Sequence, residues 1–339
     1  MMDAVLPLIT AVIPTRERPD LVVRAVQSVL NQTYPNVEVV VVVDGPDAVT
    51  VETLEALAVR NLRVIALAEN AGGSEARNIG VRAARGTWVA MLDDDDEWLP
   101  EKLAKQMAML ANVTARHRLI TSRRLQRQPG HSDVVAPRRV PRAGEDISEY
   151  MFFEEEDGFR HTCGPQTSSY LATRELFLDV PFTQGLKCHQ DWDWYLRAMH
   201  NSTTVAAMAE EPLYIMYVEP ERSRVTQLAR WEYSLSWIES RKDLFSPRAY
   251  IAFLIHECMY RCEETRGRAR IFRKLFALCR SRGRLRTKDL AAAVKWYLFR
   301  PTFRMRLIGY YKRLKTSPES TAAGGRVIET PPTKREVHG

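Results

Sequence analysis

The sequence predicts an α/β domain, with a mostly parallel sheet flanked by helices and a basic helical extension at its carboxyl end. Three observations predict it. Short apolar runs alternate with segments of helical periodicity through the first hundred residues. One run, Val37–Val43, is nearly all valine, as suits a strand covered on both faces. From Ala229 onward the pattern turns helical and arginine-rich.

Leu8–Pro14 is the first apolar run and reads as a strand. Pro19–Leu30 follows with apolar residues at helical spacing (Leu21, Val22, Ala25, Val26, Val29, Leu30), and Pro19 suits a first helical turn. After the valine strand, Asp47–Arg60 reads as helix, Leu62–Ala68 as strand, Ser74–Arg85 as helix and Trp88–Leu92 as strand. Pro100–Leu110 is a further helix. The stretch 112–165, with Pro129, Gly130, Pro137, Pro141 and Gly144, reads as loops and short strands. Thr167–Thr173 is expected as a strand and Gln190–His200 as a helix. Breaks near Ser246–Pro247, Arg266–Gly267, Gly283 and Arg300–Pro301 divide the carboxyl-terminal helices, and 316–339 has the composition of a disordered tail.

Of 339 residues, 45% are hydrophobic and 27% charged, enough to bury a sizeable core. No apolar run approaches the ~18 residues of a membrane-spanning helix. Met1–Pro7 lacks a basic start and a long apolar stretch, so no secretory signal is expected. The five scattered cysteines fit a reducing cytoplasm better than a disulfide framework. Charge is uneven. Residues 1–230 balance at −7, 231–315 at +14, and the tail is neutral. The basic third suits an anionic partner, whether lipid or acidic glycan, or is a solvated helical face. No recognition motif accompanies it, so nucleic acid is not expected as a partner.

In a parallel sheet, ligands gather at the carboxyl ends of the strands. Those ends here carry Pro14-Thr15, Asp44-Gly45, Glu69-Asn70 and Asp93-Asp94-Asp95-Asp96. The four adjacent carboxylates repel one another and invite a hard divalent cation, Mg²⁺ or Mn²⁺. A solvated acidic turn, with Asp96 capping the next helix, is the alternative. Gly72 and Gly73 before a helix allow backbone to approach a ligand, with Arg77 one turn in. The segment is neither a P-loop nor a dinucleotide fingerprint, and taken alone it reads as a glycine turn followed by a solvent-facing arginine. In Gln190-Asp191-Trp192-Asp193-Trp194, two carboxylates stand among aromatics at a helix start. One of them can act as a general base, or Asp191 is a cap and the tryptophans are core. His256, Cys258 and Cys262 lack the spacing of a four-ligand zinc set and read as buried structural residues.

The order of these segments resembles glycosyltransferase family 2, an inverting family with a GT-A fold. The matching text is Val12-Ile-Pro-Thr-Arg-Glu-Arg, Ala25–Pro35, Val39–Gly45, Asn70 to Gly80, Leu92–Leu103 and Gln190–Arg197. The resemblance implies a GT-A catalytic domain over 1–225 and transfer of a sugar from a nucleoside-diphosphate donor, by family habit UDP-linked; it does not extend over 231–339, and periodicity and charge give a helical basic region over 226–315. It implies that Thr15 and Asp44 line the nucleobase pocket, with Pro14 and Asn70 in the same donor-binding segments. It implies that Arg77 contacts the nucleotide, and that Asp93 and Asp94 lie around the ribose and diphosphate. Asp95, with Asp93, is the expected metal ligand and Asp191 the base. Gln190, Trp192 and Asp193 are the expected acceptor contacts, and Glu219 stands where a further ligand sometimes falls. The acceptor is a glycan or lipid-linked hydroxyl, in cell-surface polysaccharide or glycolipid synthesis. Val43 and Gln190 depart from the family pattern, replacing its usual Asp before Asp44 and its usual Glu before the base. Two other readings compete: a non-catalytic nucleotide-sugar-binding module, and a metal-dependent phosphatase, although phosphatases place their acidic pair nearer the amino terminus. Lys295–Arg313 interleaves aromatics with cations, which fits peripheral attachment to an anionic membrane, each cation contributing ~1 kcal/mol at such a surface. The competing reading packs these aromatics on the catalytic domain.

Overall fold

The computed structural model describes residues 6–153, 164–218, 230–262 and 267–298. Glu219 and most of Lys295–Arg313 lie outside them. The first half runs β1 (Ile9–Thr15), α1 (Pro19–Leu30), β2 (Val37–Val43), α2 (Ala48–Glu55), β3 (Leu62–Ala66), α3 (Gly73–Ala83), β4 (Trp88–Met91), β5 (Asp96–Trp98) and α4 (Lys102–Met109). It continues with β6 (His117–Arg127), β7 (Val134–Ala136), α5 (Ile147–Phe152), β8 (Leu171–Thr173), α6 (Arg174–Asp179), α7 (Gln190–His200) and β9 (Thr204–Tyr217). Helices α8 (Trp231–Ser240), α9 (Pro247–Phe253), α10 (Arg268–Arg282) and α11 (Thr287–Leu298) follow, with a π-helical turn at Leu254–Met259.

The sheet has the order β3-β2-β1-β4-β8-β6-β9-β5, with β7 beside β6. Its first four strands are parallel. β8 runs antiparallel to both β4 and β6, β9 parallel to β6 and β5 antiparallel to β9. Chain order reverses about β1, so a crevice opens where β1 and β4 end side by side. α1 starts at Pro19 and buries Val22, Ala25, Val26 and Val29, the 3.6-residue stripe of the sequence. Alternation along β1 assigns Ile9, Ala11 and Ile13 to one core and Val12 to the other. α3 approaches β1 closely, since a Cβ on Gly80 would meet Val12 Cγ1 at 2.3 Å.

Where loops and short strands are expected, the structure has β6, eleven residues long. The fourteen-residue β9 is the other half of that pairing. Both are hard to see in sequence because Arg118, Arg123, Arg124 and Arg127 break the apolar pattern of β6 and Glu210-Glu211-Pro212 interrupts β9. The ladder shifts register there, pairing Ser122 with Ala209 but Arg123 with Pro212. The expected strand at Thr167–Thr173 is a 3-10 turn, Thr167–Ser169, leading into the shorter β8.

The described residues through Tyr297 form one compact unit. Trp231, Trp237, Phe245, Tyr250, Phe253 and Trp296 share a core with Val89, Met91, Tyr170 and Trp194. These six aromatics therefore pack on the sheet domain. Cys258 and Cys262 are buried in this core, and the described residues offer no metal-ligating set there. A polar joint fixes the packing. Asp193 on α7 is 0% exposed. Its carboxylate accepts from Arg197 Nε (2.8 Å), Arg241 Nε (2.7 Å), Thr183 Oγ1 (2.6 Å) and Trp237 Nε1 (3.1 Å). Burial opposes the charge, yet Arg197, Thr183 and Arg241 hold its pKa below the ordinary value. This overturns the acceptor role expected of Asp193, because no oxygen is left to face a substrate. Asp193→Ala strands two guanidinium groups that retain some solvent, so a loss of ~3 kcal/mol is expected, at the low end for a broken buried pair. Urea denaturation measures it, and a loss below ~1 kcal/mol would remove Asp193 from this role.

Candidate active site

The end of β4 meets a physical difficulty, since four carboxylates follow a fully buried strand. The structure resolves it residue by residue. Thr15 Oγ1 at the end of β1 donates to Asp94 Oδ2 at 2.8 Å, and Arg18 Nη1 reaches Asp94 Oδ1 at 3.0 Å. Even so, burial, with Asp95 and Asp93 adding repulsion, raises the Asp94 pKa to about 6 against the pull of Arg18. Arg77 Nη2 donates to Asp93 Oδ1 at 2.5 Å. Ser168 Oγ donates to Asp96 Oδ2 at 2.5 Å, and the Asp93 amide lies 3.1 Å from the same hydroxyl. Asp96 does not cap a helix. It opens β5, paired opposite Met216, and burial, then Asp95 and Asp93, push its pKa well up.

The second strand end is built on backbone. Asp44 accepts from the amides of Ala71 (2.7 Å) and Gly72 (3.0 Å), holding the loop that begins α3. Asn70 is exposed in that loop, and Pro14 is half-buried before Thr15. Gly72 takes a φ of 84°, natural only to glycine. Gly73 leaves room for a bridge, since a Cβ there would lie 3.1 Å from Arg77 Nη1 and 3.3 Å from Gln190 Oε1. Those two atoms are themselves 2.8 Å apart. Arg77 thus ties Asp93 to Gln190, the residue before Asp191. It is buried rather than solvent-facing.

Asp191 lies in the first turn of α7, half-buried, with its Oδ1 accepting from the Trp192 amide at 2.9 Å. Tyr170 Oη donates to its carbonyl at 3.0 Å. Burial raises the Asp191 pKa to about 6, against the Trp192 amide, and Asp93 and Arg77 are the charged groups acting on it. Trp192 is a correction to the expected acceptor contacts. It is buried between His189 (ring centroids 4.8 Å) and Phe152 (5.2 Å). Gln190 is engaged with Arg77 and, through Nε2, with the Leu186 carbonyl.

The structure thus gathers Thr15, Asp44, Arg77, Asp93, Asp94, Asp95, Asp96 and Asp191 about one sheet edge. Asp93, Asp95 and Asp96 each bring a carboxylate oxygen within 4.8 Å of the others. An all-carboxylate set suits a hard cation, so these residues fit Mg²⁺ or Mn²⁺. Buried polar atoms without a hydrogen-bond partner among the described residues include Arg77 Nε, Ser74 Oγ at the start of α3 and Tyr214 Oη. The first two fit an anionic ligand. Sequence reasoning missed Arg18, Ser168 and Tyr214, and the metal-ligating potential of Asp96. Arg18 stood within a matching segment, but nothing local marked Ser168 or Tyr214, which arrive by sheet pairing.

An α/β fold whose strand ends present a carboxylate cluster beside an arginine-bearing helix start is suited to a hard cation and an anionic ligand. Residues 10–139 match the model for glycosyl transferase family 2. Over that segment the chain is similar to the family, and its fold is the GT-A fold. It is 25% identical to the amylovoran biosynthesis glycosyltransferase AmsB of Erwinia amylovora, over 71% of this chain and 82% of AmsB. It is 41% identical to the succinoglycan biosynthesis protein ExoO of Rhizobium meliloti, over 30% of this chain and only 29% of ExoO. Among solved structures, S. aureus TarS 1–349 in complex with UDP-GlcNAc has a TM-score of 0.57 at 16% identity, covering 90% of this chain and 92% of that one. The mannosyltransferase PcManGT of Pyrobaculum calidifontis, in complex with GDP-Man and Mn²⁺, has a TM-score of 0.52 at 19% identity, covering 92% and 88%.

The raised pKa values set a pH dependence. In the folded state Asp94 and Asp191 hold protons up to about 6, whereas unfolded carboxylates lose them near 3.8. Between those values the native state binds more protons, so these two groups make the metal-free fold less stable as pH rises. Bound Mn²⁺ relieves this repulsion only where the carboxylates are ionised. The Tm increase on adding Mn²⁺ is therefore expected to be larger at about pH 7.5 than at about pH 5, and to be mostly lost in Asp95→Ala. Differential scanning fluorimetry measures both. Equal shifts at the two pH values, or a normal shift in Asp95→Ala, would rule out the carboxylate cluster as the cation site.

Proposed function

We propose that this chain is an inverting glycosyltransferase that moves a sugar from a nucleoside-diphosphate donor to an acceptor hydroxyl in the synthesis of a surface polysaccharide. The observation that carries the reading is the Arg77 bridge, which joins the carboxylate cluster at the end of β4 to the helix start bearing Asp191. Donor chemistry and proton removal thereby meet at one edge. The relatives' names support the polysaccharide context, and the donors in the TarS and PcManGT complexes support a nucleotide sugar.

In this reading Asp44 and Thr15 border the nucleobase and ribose, while Arg77, with Ser74 at the start of α3, receives the diphosphate. Asp93, Asp95 and Asp96 would hold a divalent cation, which when bound would supply positive charge beside the diphosphate. Asp191 takes the proton from the acceptor hydroxyl. The freed oxygen forms a bond to the anomeric carbon from the face opposite the leaving group. The carbon–oxygen bond to the diphosphate breaks, its electron pair leaves with the diphosphate, and the anomeric configuration inverts. A base pKa of about 6 leaves Asp191 ionised at neutral pH yet basic enough to share the proton in the transition state. Tyr170 and Gln190 hold the base's helix turn in register with Arg77.

A panel of UDP-, GDP- and dTDP-sugars, scored by metal-dependent thermal shift and by hydrolysis, tests the donor class. The absence of any metal-dependent response across the panel argues against it. Asp191→Asn is expected to keep donor affinity and to lower turnover by ~10²-fold or more. In the wild type, turnover should rise with pH through about 6 as Asp191 loses its proton, and this acid limb should vanish in the variant. A collapse of donor affinity, or an unchanged limb, would assign the base elsewhere.

A further inference from the structure

Helix α11 has two apolar faces. One buries Ala293 and Trp296 against the core. The other presents Leu290 (40% exposed), Val294 (55%) and Tyr297 (44%), spaced i, i+4 and i+7, to solvent. A helix packed on one side of a globular protein ordinarily carries polar residues on its other side. α10 lies alongside, with Phe272 edge-on to Tyr297 at 5.2 Å between ring centroids. Its exposed positions include Arg270, Arg273, Lys274 and Arg280. Residues 268–298 hold ten Lys and Arg against the single acid Asp289. A cavity of about 360 Å³ opens at the start of α11, walled by Phe153, Pro247 and Ile251 and edged by Arg248, Arg284 and Arg286.

We infer that the outer face of α11, with the cations of α10 and the α10–α11 turn, docks the enzyme on a bilayer containing anionic lipid. The apolar stripe enters the headgroup–acyl boundary and the surrounding cations meet lipid phosphates. Charge complementarity selects this occupant. A second copy of this chain would bring the same cations against themselves, and a neutral apolar partner would leave them unmatched. The length of the stripe, two helical turns, suits insertion along the surface rather than across it, and no described helix is long and apolar enough to cross a membrane. The sequence beyond Leu298 continues with aromatics and cations through Arg313, outside the described residues.

The experiment uses the full chain with vesicles of phosphatidylcholine alone or mixed with phosphatidylglycerol, at low and high salt. Co-sedimentation is expected with the anionic vesicles at low salt and to fall at high salt. The double variant L290E/V294E changes exposed side chains only. It is expected to bind anionic vesicles about tenfold or more weakly, the scale of losing an inserted apolar side chain. Donor hydrolysis in solution, which rests on the residues of the strand ends and not on Leu290 or Val294, is expected to stay at the wild-type rate in this variant, so a failure of the transferase reading and a failure of the docking reading are told apart. Equal, negligible binding to both vesicle types would overturn the proposal. Undiminished binding by the variant would move the lipid contact to another surface and overturn it too. A wild-type dimer that L290E/V294E converts to monomer without altering lipid binding would assign the stripe to a second copy instead.

Discussion

Charge crowding at the end of β4 is the constraint on which the site depends. Four consecutive carboxylates leave a strand buried on both faces, and two of them, Asp94 and Asp96, remain buried. Such a run is stable only if neighbouring elements bring donors and cations to it. Each neighbour supplies one: β1 brings Thr15, the loop after it Arg18, α3 brings Arg77 and the turn before β8 brings Ser168. The sheet order follows the same need, because β8 and β9 must lie near β4 and β5 for Ser168 and Tyr214 to reach the cluster. Compensation is incomplete, as the raised pKa values of Asp94 and Asp96 show. A residual negative field of this kind favours a cation over an anion at the strand ends.

Helix α7 translates that arrangement to the rest of the molecule. Asp191 in its first turn lies toward Arg77 and Asp93, whereas Asp193, two residues on, is locked to Trp237 of α8 and to Arg241 just after it. A two-residue step on a helix turns the side chain by about 200°. The same short segment therefore serves the chemistry on one side and the joint with the helical region on the other. His189, in the left-handed region with φ of 64°, precedes it and rests its ring on Trp192 and Trp237. Burial depresses the His189 pKa to about 4, so its ring is neutral at physiological pH and hydrogen-bonds Ser234 as a neutral partner.

The elements legible in the sequence were those whose information is local. The valine run of β2, the proline-started stripe of α1 and the Gln190–His200 helix appear where periodicity and capping signals put them. The strand ends carried Thr15 and Asp44, and the helix starts after the glycine turn and after His189 carried Arg77 and Asp191, so each stood beside a local signal. β6 and β9 were not legible, because their pairing is with each other over about ninety residues and their alternation is broken by arginines and by the shift at Pro212. Ser168 escaped for the same reason, as its role exists only once β8 lies beside β4. Trp192 and Asp193 misled in the opposite direction. Aromatics and acids at a helix start look the same whether they face a substrate or a second helix, and only the packing of α8 distinguishes the two.

The joint at Asp193 also bears on how such enzymes diversify. A helical region attached by a loose linker can be exchanged for another without disturbing the chemistry, as with beads on a string. Here the region's Arg241 and Trp237 close the solvation of a carboxylate two residues from the proposed base. A graft that replaces α8 must bring matching donors or unseat the turn that carries Asp191. Sheet domain and helical region are thus expected to have been inherited together, with change in α8 confined to substitutions that keep those donors in place.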